Sequence, residues 1–449
     1  MKKLMLGMIG VSFLIQATMA QEAPEMPAAQ EQMAVTFPLP LPKIEVAIRP
    51  VRVKINVVST TTTTTSDNVG QQHDADDPMR SRTITKSFSL DQSDKVLLSN
   101  KYGEVQVKTW DKKEARVDVT IKAWAKSEND AQQMLEDVSI TAAKEGDEVT
   151  FRTNVGGGNY SRGKNGSKSW RREVRIDYVL FLPASAALSL SNQYGNVVMG
   201  NFSGPLYVKA QYGNFNAGRL MNNNNYVSVQ YGKADIQELN KAVVKQQYGS
   251  GLAIAVVGTL DLNAQYAGVN IGSIKGDAVI RQQYGSGLTI GSVDNLDLDA
   301  QYTNVNIGTV SGNAAIKQQY NNITIANVGK LNLNGQYTTV KVGTLKGDAN
   351  FRMDYNRLSV DQITSACRAL AVKANYVGVS LGFADNYHGD FSVRTNYGSF
   401  KYGDAVAAKS DRDPDDKSYS STRNYTGTIG RGGSGKVSLS TDYGSVLFK

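Results

Sequence analysis

Between Tyr194 and Tyr397 one short pattern recurs: an apolar residue, three residues, then Tyr. The tyrosines are Tyr194, Tyr212, Tyr231, Tyr248, Tyr266, Tyr284, Tyr302, Tyr320, Tyr337, Tyr355, Tyr376 and Tyr397, spaced 17 to 19 residues apart until two final steps of 21. Four residues before each stands Leu190, Val208, Val227, Val244, Leu262, Ile280, Leu298, Ile316, Leu333, Phe351, Val372 or Val393. A fixed period of this size marks a stacked repeat. No such unit buries its apolar row alone, so neighbouring units must stack like residues over like.

Within one unit, Leu296, Leu298, Ala300 and Tyr302 alternate, and the alternation then slips by one residue and resumes with Val305 and Ile307. A slip of one flips the buried face, so the chain turns a corner just after Tyr302. Gly follows Tyr at positions 195, 213, 232, 249, 285 and 398, as suits a corner. A second corner is expected between Gly308 and Asn313, with Gly258, Gly276, Gly329 and Gly347 at equivalent places. Strand, corner, strand, corner in about 18 residues predicts an all-β chain built as a single-stranded parallel β-solenoid.

Strand parity points the tyrosines inward, as core and corner packing, and the residue before each of them outward. That outward position holds Gln193, Gln211, Gln230, Gln247, Gln265, Gln283, Gln301, Gln319 and Gln336 in nine successive coils. Stacked amides either steady the coils by bonding along the axis or form a flat polar binding strip. Gln211, Gln230, Gln247, Gln265, Gln283, Gln301, Gln319 and Gln336 are therefore the candidate binding residues. Two residues before Tyr, Gln246, Gln282 and Gln318 alternate with Ala264, Ala300 and Gly335. This spacing predicts buried amides paired with small neighbours.

Before the repeats, Met1-Lys2-Lys3, the apolar stretch from Leu4 to Ile15 and the small-residue site Thr18-Met19-Ala20 read as a secretory signal peptide over residues 1–20. No later segment is apolar for long enough to be a transmembrane helix. Residues 21–82 read as a flexible tether, with Pro38, Pro40, Pro42 and a threonine run from Thr60 to Thr65. The alternation from Ile44 to Val57 leaves room for a strand docking on an open edge.

Residues 83–189 form a β-rich cap and first coil. The segment Leu98 to Val107, with Tyr102, already keeps the solenoid register. Strands are expected over 116–123, 148–153 and 173–182. Between the first two, Ser127 N-caps a short helix carrying Ala131, Met134, Leu135 and Val138, placed to cover an open end. Residues 156–172 read as a basic solvated loop with Arg162, Lys164, Lys168, Arg171 and Arg172. After the repeats of 190–403, residues 404–434 read as a polar insertion loop. The strand of 435–449, with Leu439, Tyr443 and Val446, restores the register at the far end.

Little in this chain points to catalysis or to a cofactor. His73 and His388 are the only histidines and Cys367 the only cysteine, which leaves little for a triad, a zinc site or a disulfide. The acidic run Asp411, Asp413, Asp415 and Asp416 lacks the spacing of a calcium loop. Phosphate-cradling loops are absent. The 49 basic residues are interspersed with 41 acidic ones, which argues against nucleic acid as a partner despite the net charge of +8. Asp261, Asp277, Asp297, Asp299 and Asp348 are the carboxylates available to a polysaccharide lyase or hydrolase. They recur with the repeat, as turn and surface residues do.

Several segments resemble a known family. Ile84-Thr85-Lys86-Ser87-Phe88, Leu98-Ser99-Asn100-Lys101-Tyr102-Gly103-Glu104-Val105, Lys108-Thr109-Trp110-Asp111 and Tyr178-Val179-Leu180-Phe181-Leu182-Pro183 are similar to exported bacterial β-solenoid domains grouped as putative adhesins of unknown function. The resemblance runs from Thr83 to the C-terminus and implies a non-enzymatic β-helix of the periplasm or cell surface. It brings no site residues. Residues and resemblance together predict a surface-binding or structural protein, with a glycan, another surface polymer or a protein as partner. A carbohydrate-active β-helix enzyme is the alternative.

Overall fold

A computed structural model describes residues 77–156, 162–165, 168–411 and 420–449, all within one compact unit. The leader, most of the tether with its 44–57 alternation, His73 and the acidic run from Asp413 to Asp416 lie outside the described residues. The described residues are almost entirely β, organised as a parallel β-solenoid with one short helix.

Each coil of the central stretch is one long strand that bends at a bulge. Val269–Gln283 pairs in parallel with Leu288–Gln301, which pairs in parallel with Val305–Gln319. Val269, Ile271, Ile274, Ala278 and Ile280 face the interior, and the ladder skips register between Ile274 and Asp277. The second expected corner is thus a break in phase inside one strand, not a separate loop. Every member of the apolar column from Leu190 to Val393 is buried.

The buried amides are where the sequence puts them, but their partners are backbone carbonyls at the corner. Gln246 donates to the Gly232 carbonyl at 2.8 Å, Gln282 to those of Ala267 (3.0 Å) and Gly287 (3.1 Å), and Gln318 to those of Thr303 and Tyr320, each at 2.8 Å. The residue after Tyr compensates for volume. Coils with buried Gln246 or Gln282 have Gly249 or Gly285 there, whereas coils with Ala264, Ala300 or Gly335 turn Ala267, Thr303 or Thr338 inward. A Cβ on Gly285 would lie 2.2 Å from Gln282 Nε2. The double-length period in these coils is therefore a steric complementation across the corner, while the Gln318 coil clears its amide with Asn321, left-handed at φ 66° and exposed.

The amino-terminal region extends the same sheets. Strands β1 (Met79–Ser89), β2 (Lys95–Lys101), β3 (Val105–Trp110) and β4 (Glu114–Trp124) precede helix α1 (Glu128–Glu136). After α1 come β5 (Val138–Glu145), β6 (Glu148–Val155), a hairpin of β7 (Arg162–Asn165) and β8 (Lys168–Arg171), and β9 (Glu173–Pro183). The basic segment thus contains a two-stranded hairpin, where the sequence predicts only loop. β6 pairs in parallel with β2, and β9 with β3, so the insertion itself supplies the coil that precedes the first. β4 then joins β9 in antiparallel fashion, and β1 joins β4.

Helix α1 lies against β1, β4 and β5 with Ala131, Met134 and Leu135 buried, at the end it was expected to cover. Ser127 accepts from the Asp130 N–H at 3.2 Å as N-cap. The Arg82 guanidinium donates to the Leu135 carbonyl of the last turn at 3.2 Å and to the Val138 carbonyl just beyond it at 2.7 Å, tying the helix end to β1.

At the carboxyl end the terminal strand is not the last one. Gly435–Asp442 inserts in parallel between Ala369–Phe383 and Gly389–Asn396, so Tyr443 stacks between Tyr376 and Tyr397. The far edge belongs to the 404–434 insertion, whose strand Thr422–Ile429 pairs antiparallel with Gly389–Asn396 and with Val406–Ser410. An antiparallel strand ends the parallel series here as it does at the other terminus.

Gly285→Ala, measured by denaturant unfolding, is expected to destabilise the chain by about 1–3 kcal/mol through overpacking, and Gln282→Ala in the same chain to recover part of that loss. Burial pushes the Cys367 thiol up to about 11, reinforced by the charge of Asp348. Burial also lifts the Tyr178 and Tyr387 phenols to about 12. These groups fold in their neutral forms, so their contribution to stability is intact below their unfolded values and is lost as pH rises through the folded ones. Unfolding midpoints are expected to fall between about pH 9 and 12.

Candidate functional site

The tyrosines do not point inward. Each of the fourteen in this register, from Tyr102 through Tyr397 and Tyr443, has a left-handed backbone with φ between 50° and 64°. The left-handed step breaks the extended geometry at Tyr and swings its Cβ out of the alternation that parity assumes. The ladder still includes the residue, since Tyr266 N–H donates to the Gln283 carbonyl and Tyr284 N–H to that of Gln301, both at 3.0 Å. A left-handed conformation costs about 1–2 kcal/mol for a residue with a Cβ. The chain spends it on Tyr at every coil.

The return is an unbroken external stack. Ring centroids of successive tyrosines lie 4.4–5.4 Å apart with planes within 15° of parallel, from Tyr102 to Tyr397. Each such contact contributes about 0.5–1.5 kcal/mol, which offsets much of the strain. From Tyr194 onward the side chains remain 39–54% exposed. Their faces are covered by one another, so ring edges and phenol hydroxyls form the outer surface. The closest pair is Tyr302 and Tyr320, at 4.4 Å, and a hydrogen bond to Tyr320 raises the Tyr302 pKa.

Beside the stack runs the glutamine column. Gln193 donates to Gln211 (3.0 Å), Gln230 to Gln247 (2.8 Å), Gln247 to Gln265 (3.1 Å), Gln265 to Gln283 (3.5 Å) and Gln319 to Gln336 (3.4 Å), with Gln301 in the same column. Their side chains are half-buried, except for the exposed Gln336. Each amide has two donors and two lone pairs. A bond along the axis on each side uses one of each and leaves one of each for solvent or a ligand.

A groove of about 640 Å³ opens at mid-stack, lined by Gly249, Tyr266, Gly268, Tyr284, Gly285 and Tyr302 among others. It lies where the turns after Tyr248 and Tyr284 carry Gly-Ser-Gly and the turn after Tyr266 is Ala-Gly, so the floor consists of small side chains and backbone. The repeat in the sequence marks these residues, but parity hides their outward direction. The available signal was the recurrent pairing of Tyr with a Gly required by close contact, as at Gly213, whose Cβ would fall 1.9 Å from the Gly195 carbonyl oxygen.

The carboxylates considered for catalysis are spread over the coils. Asp261 and Asp297 stand two coils apart, separated by Val279. Asp277 accepts from Asn295 at 2.9 Å, and Asp348 accepts from the Arg368 and Ala369 N–H groups at 2.9 Å as a corner residue. Asp299 sits between Arg281 and Lys317 in the ladder. His388 Nδ1 accepts from the Arg431 N–H at 3.2 Å, and Cys367 is buried. Asp411 accepts from Asn424, which lowers its pKa. Among the described residues no three His, Cys, Asp or Glu side chains form a metal-binding group, and no helix is long and apolar enough to cross a membrane.

No protein-family model and no curated protein matches the chain. Among solved structures it is similar to a putative cell adhesion protein from Clostridium sporogenes, at 9% identity and a TM-score of 0.15, over 82% of this chain and 99% of that one. It is also similar to a putative adhesin from Parabacteroides merdae, at 12% identity and a TM-score of 0.18, over 82% and 96% of the two chains. A putative adhesin from Parabacteroides distasonis gives 12% identity and a TM-score of 0.19, over 67% and 97%.

The stack is external, so single members can be removed. Tyr284→Asn, which keeps a residue tolerant of positive φ, is expected to shift stability by less than about 2 kcal/mol. Leu298→Ala in the adjoining coil is expected to cost about 2–5 kcal/mol. Parallel thermal and denaturant unfolding checks both.

Proposed function

We propose that this chain is a non-enzymatic binding protein of the cell envelope that presents one solenoid corner to an extended glycan or similar surface polymer. The observation carrying this reading is the unbroken, half-exposed tyrosine stack from Tyr102 to Tyr397. Hydroxyls and amides repeat there at the spacing of the coils, about 4.8 Å. A ligand that itself repeats can meet many such groups in series, each contact weak and the sum substantial. Sugar hydroxyls suit the phenol and amide groups, both of which donate and accept.

In this reading Gln211, Gln230, Gln247, Gln265, Gln283, Gln301, Gln319 and Gln336 flank the contact line, and Tyr266, Tyr284 and Tyr302 line the groove at mid-stack. The expected signal peptide delivers the chain to the envelope, in the periplasm or at the outer surface. Carboxylates dispersed over the coils favour binding over glycoside hydrolysis, which needs two carboxyl groups across one bond.

The test is retention of residues 21–449 on a panel of glycans and envelope polymers, beside two folded variants. One changes Gln247, Gln265, Gln283 and Gln301 to Glu, and the other changes Tyr266, Tyr284 and Tyr302 to Asn. Retention by a glycan is expected to weaken about tenfold or more in either variant. Retention indifferent to both sets removes this corner as the site, and retention by nothing on the panel points to a protein partner instead.

A further inference from the structure

Three residues before each Tyr, and on the same outward side as the Gln column, lies a second column whose charge alternates with the coils. Lys209, Lys245, Arg281, Lys317 and Arg352 occupy it in every second coil. The register Lys209, Ser228, Lys245, Asn263, Arg281, Asp299, Lys317, Asn334, Arg352 is fixed by direct ladder pairing. Two coils separate successive cations by about 9.6 Å. Beyond Arg352 the column continues with Lys373, Ser440 and Arg394.

All five cations are exposed, and among the described residues none takes part in an ion pair. Some cations elsewhere on the solenoid do, as Lys233 with Asp235 at 3.0 Å, Lys275 with Glu238 at 3.4 Å and Lys341 with Asp361 at 3.8 Å. Lys209 and Lys245 lie 5.5 and 5.8 Å from the ring centroids of Tyr207 and Tyr226, which stack on one another. Most acids of this face fall in the intervening coils, Asp299 in the column itself and Asp261 and Asp297 two residues further back along their strands; Asp354, in the Gln column beside Arg352, is the exception.

We infer that this face binds an acidic polysaccharide carrying one negative charge per two sugar units. This deepens the glycan reading and rests on it. A sugar of an extended chain advances by about one coil, so a charge on alternate sugars meets a cation each time. A charge on every sugar would place the extra ones against Ser228, Asn263 and Asn334, and against the repelling Asp261, Asp297 and Asp299. Nucleic acid fits less well, because its phosphates recur about every 3.4 Å of rise along a strand, far more densely than these cations.

The test measures binding of residues 21–449 to hyaluronan, with one carboxylate per disaccharide, against polygalacturonate, with one on every sugar. A neutral chitin oligosaccharide and duplex DNA complete the set. Hyaluronan is expected to bind more tightly than polygalacturonate and to weaken with added salt. The combined Lys245→Gln, Arg281→Gln and Lys317→Gln variant, altered only at exposed positions, is expected to lose about tenfold or more in affinity for it. Asp299→Asn is expected to narrow the gap between the two polymers.

The inference is overturned by any of three results: no hyaluronan binding, polygalacturonate or duplex DNA bound as tightly, or indifference to the three Gln substitutions. Neutral chitin bound by the parent, lost in the Tyr266, Tyr284 and Tyr302 variant and unaffected by the cation variant, leaves the glycan-binding corner standing while removing this charge pattern. Loss of all glycan binding removes both.

Discussion

Parallel backbone pairing between one coil and the next is the interaction on which everything else depends. It places Leu262 on Ile280 on Leu298 in the core, and Gln265 on Gln283 on Gln301 at the surface. Hydrogen-bonding geometry fixes the spacing at about 4.8 Å. Like residues therefore meet at a distance that suits ring stacking, amide chains and aliphatic packing alike, and an outer surface pattern repeated along the axis follows from the same pairing that forms the core.

That pairing succeeds only if each coil closes, and the corners set the conditions for closure. The left-handed Tyr reverses the chain and expels a large side chain, while the residues on either side share the small space left beneath it. Where Gln282 reaches across the corner to the Ala267 and Gly287 carbonyls, Gly285 keeps clear of it. One coil on, Ala300 leaves room that Thr303 fills, and Thr303 Oγ1 accepts from the Gly285 N–H at 2.9 Å. Adjacent coils are thus unequal in composition but matched in volume, and the charge alternation on the outer face has the same double period.

A parallel stack leaves open edges, and at both ends the chain switches to antiparallel strands, although at the carboxyl end half of the last coil still finishes on Ser399–Tyr402, paired only in parallel with Ser445–Phe448. β1 and β4 do so at the amino end, with α1 covering them, and Val406–Ser410 with Thr422–Ile429 do so at the carboxyl end. The last strand in sequence enters one place before the end of the stack. Only then can the insertion pair with Gly389–Asn396 and finish the sheet.

Much of this was legible in the sequence, because in a stacked repeat the period of the chain is the period of the structure. The coil length, the apolar column from Leu190 to Val393, the outward glutamines, the buried Gln246, Gln282 and Gln318 and the Ser127-capped helix all follow from local pattern and parity. Parity fails at the tyrosines, since it assumes extended backbone and the corner supplies a left-handed residue, whose direction is set by closure of the coil. The order of the final coils was hidden for a related reason, because strands with the same register are interchangeable in sequence and only the edge they complete distinguishes them. The sequence by itself determined what repeats and which residues lie over which. Tertiary structure decided which side of the corner faces solvent and which strand comes last, because both depend on how the chain closes on itself and not on any local preference.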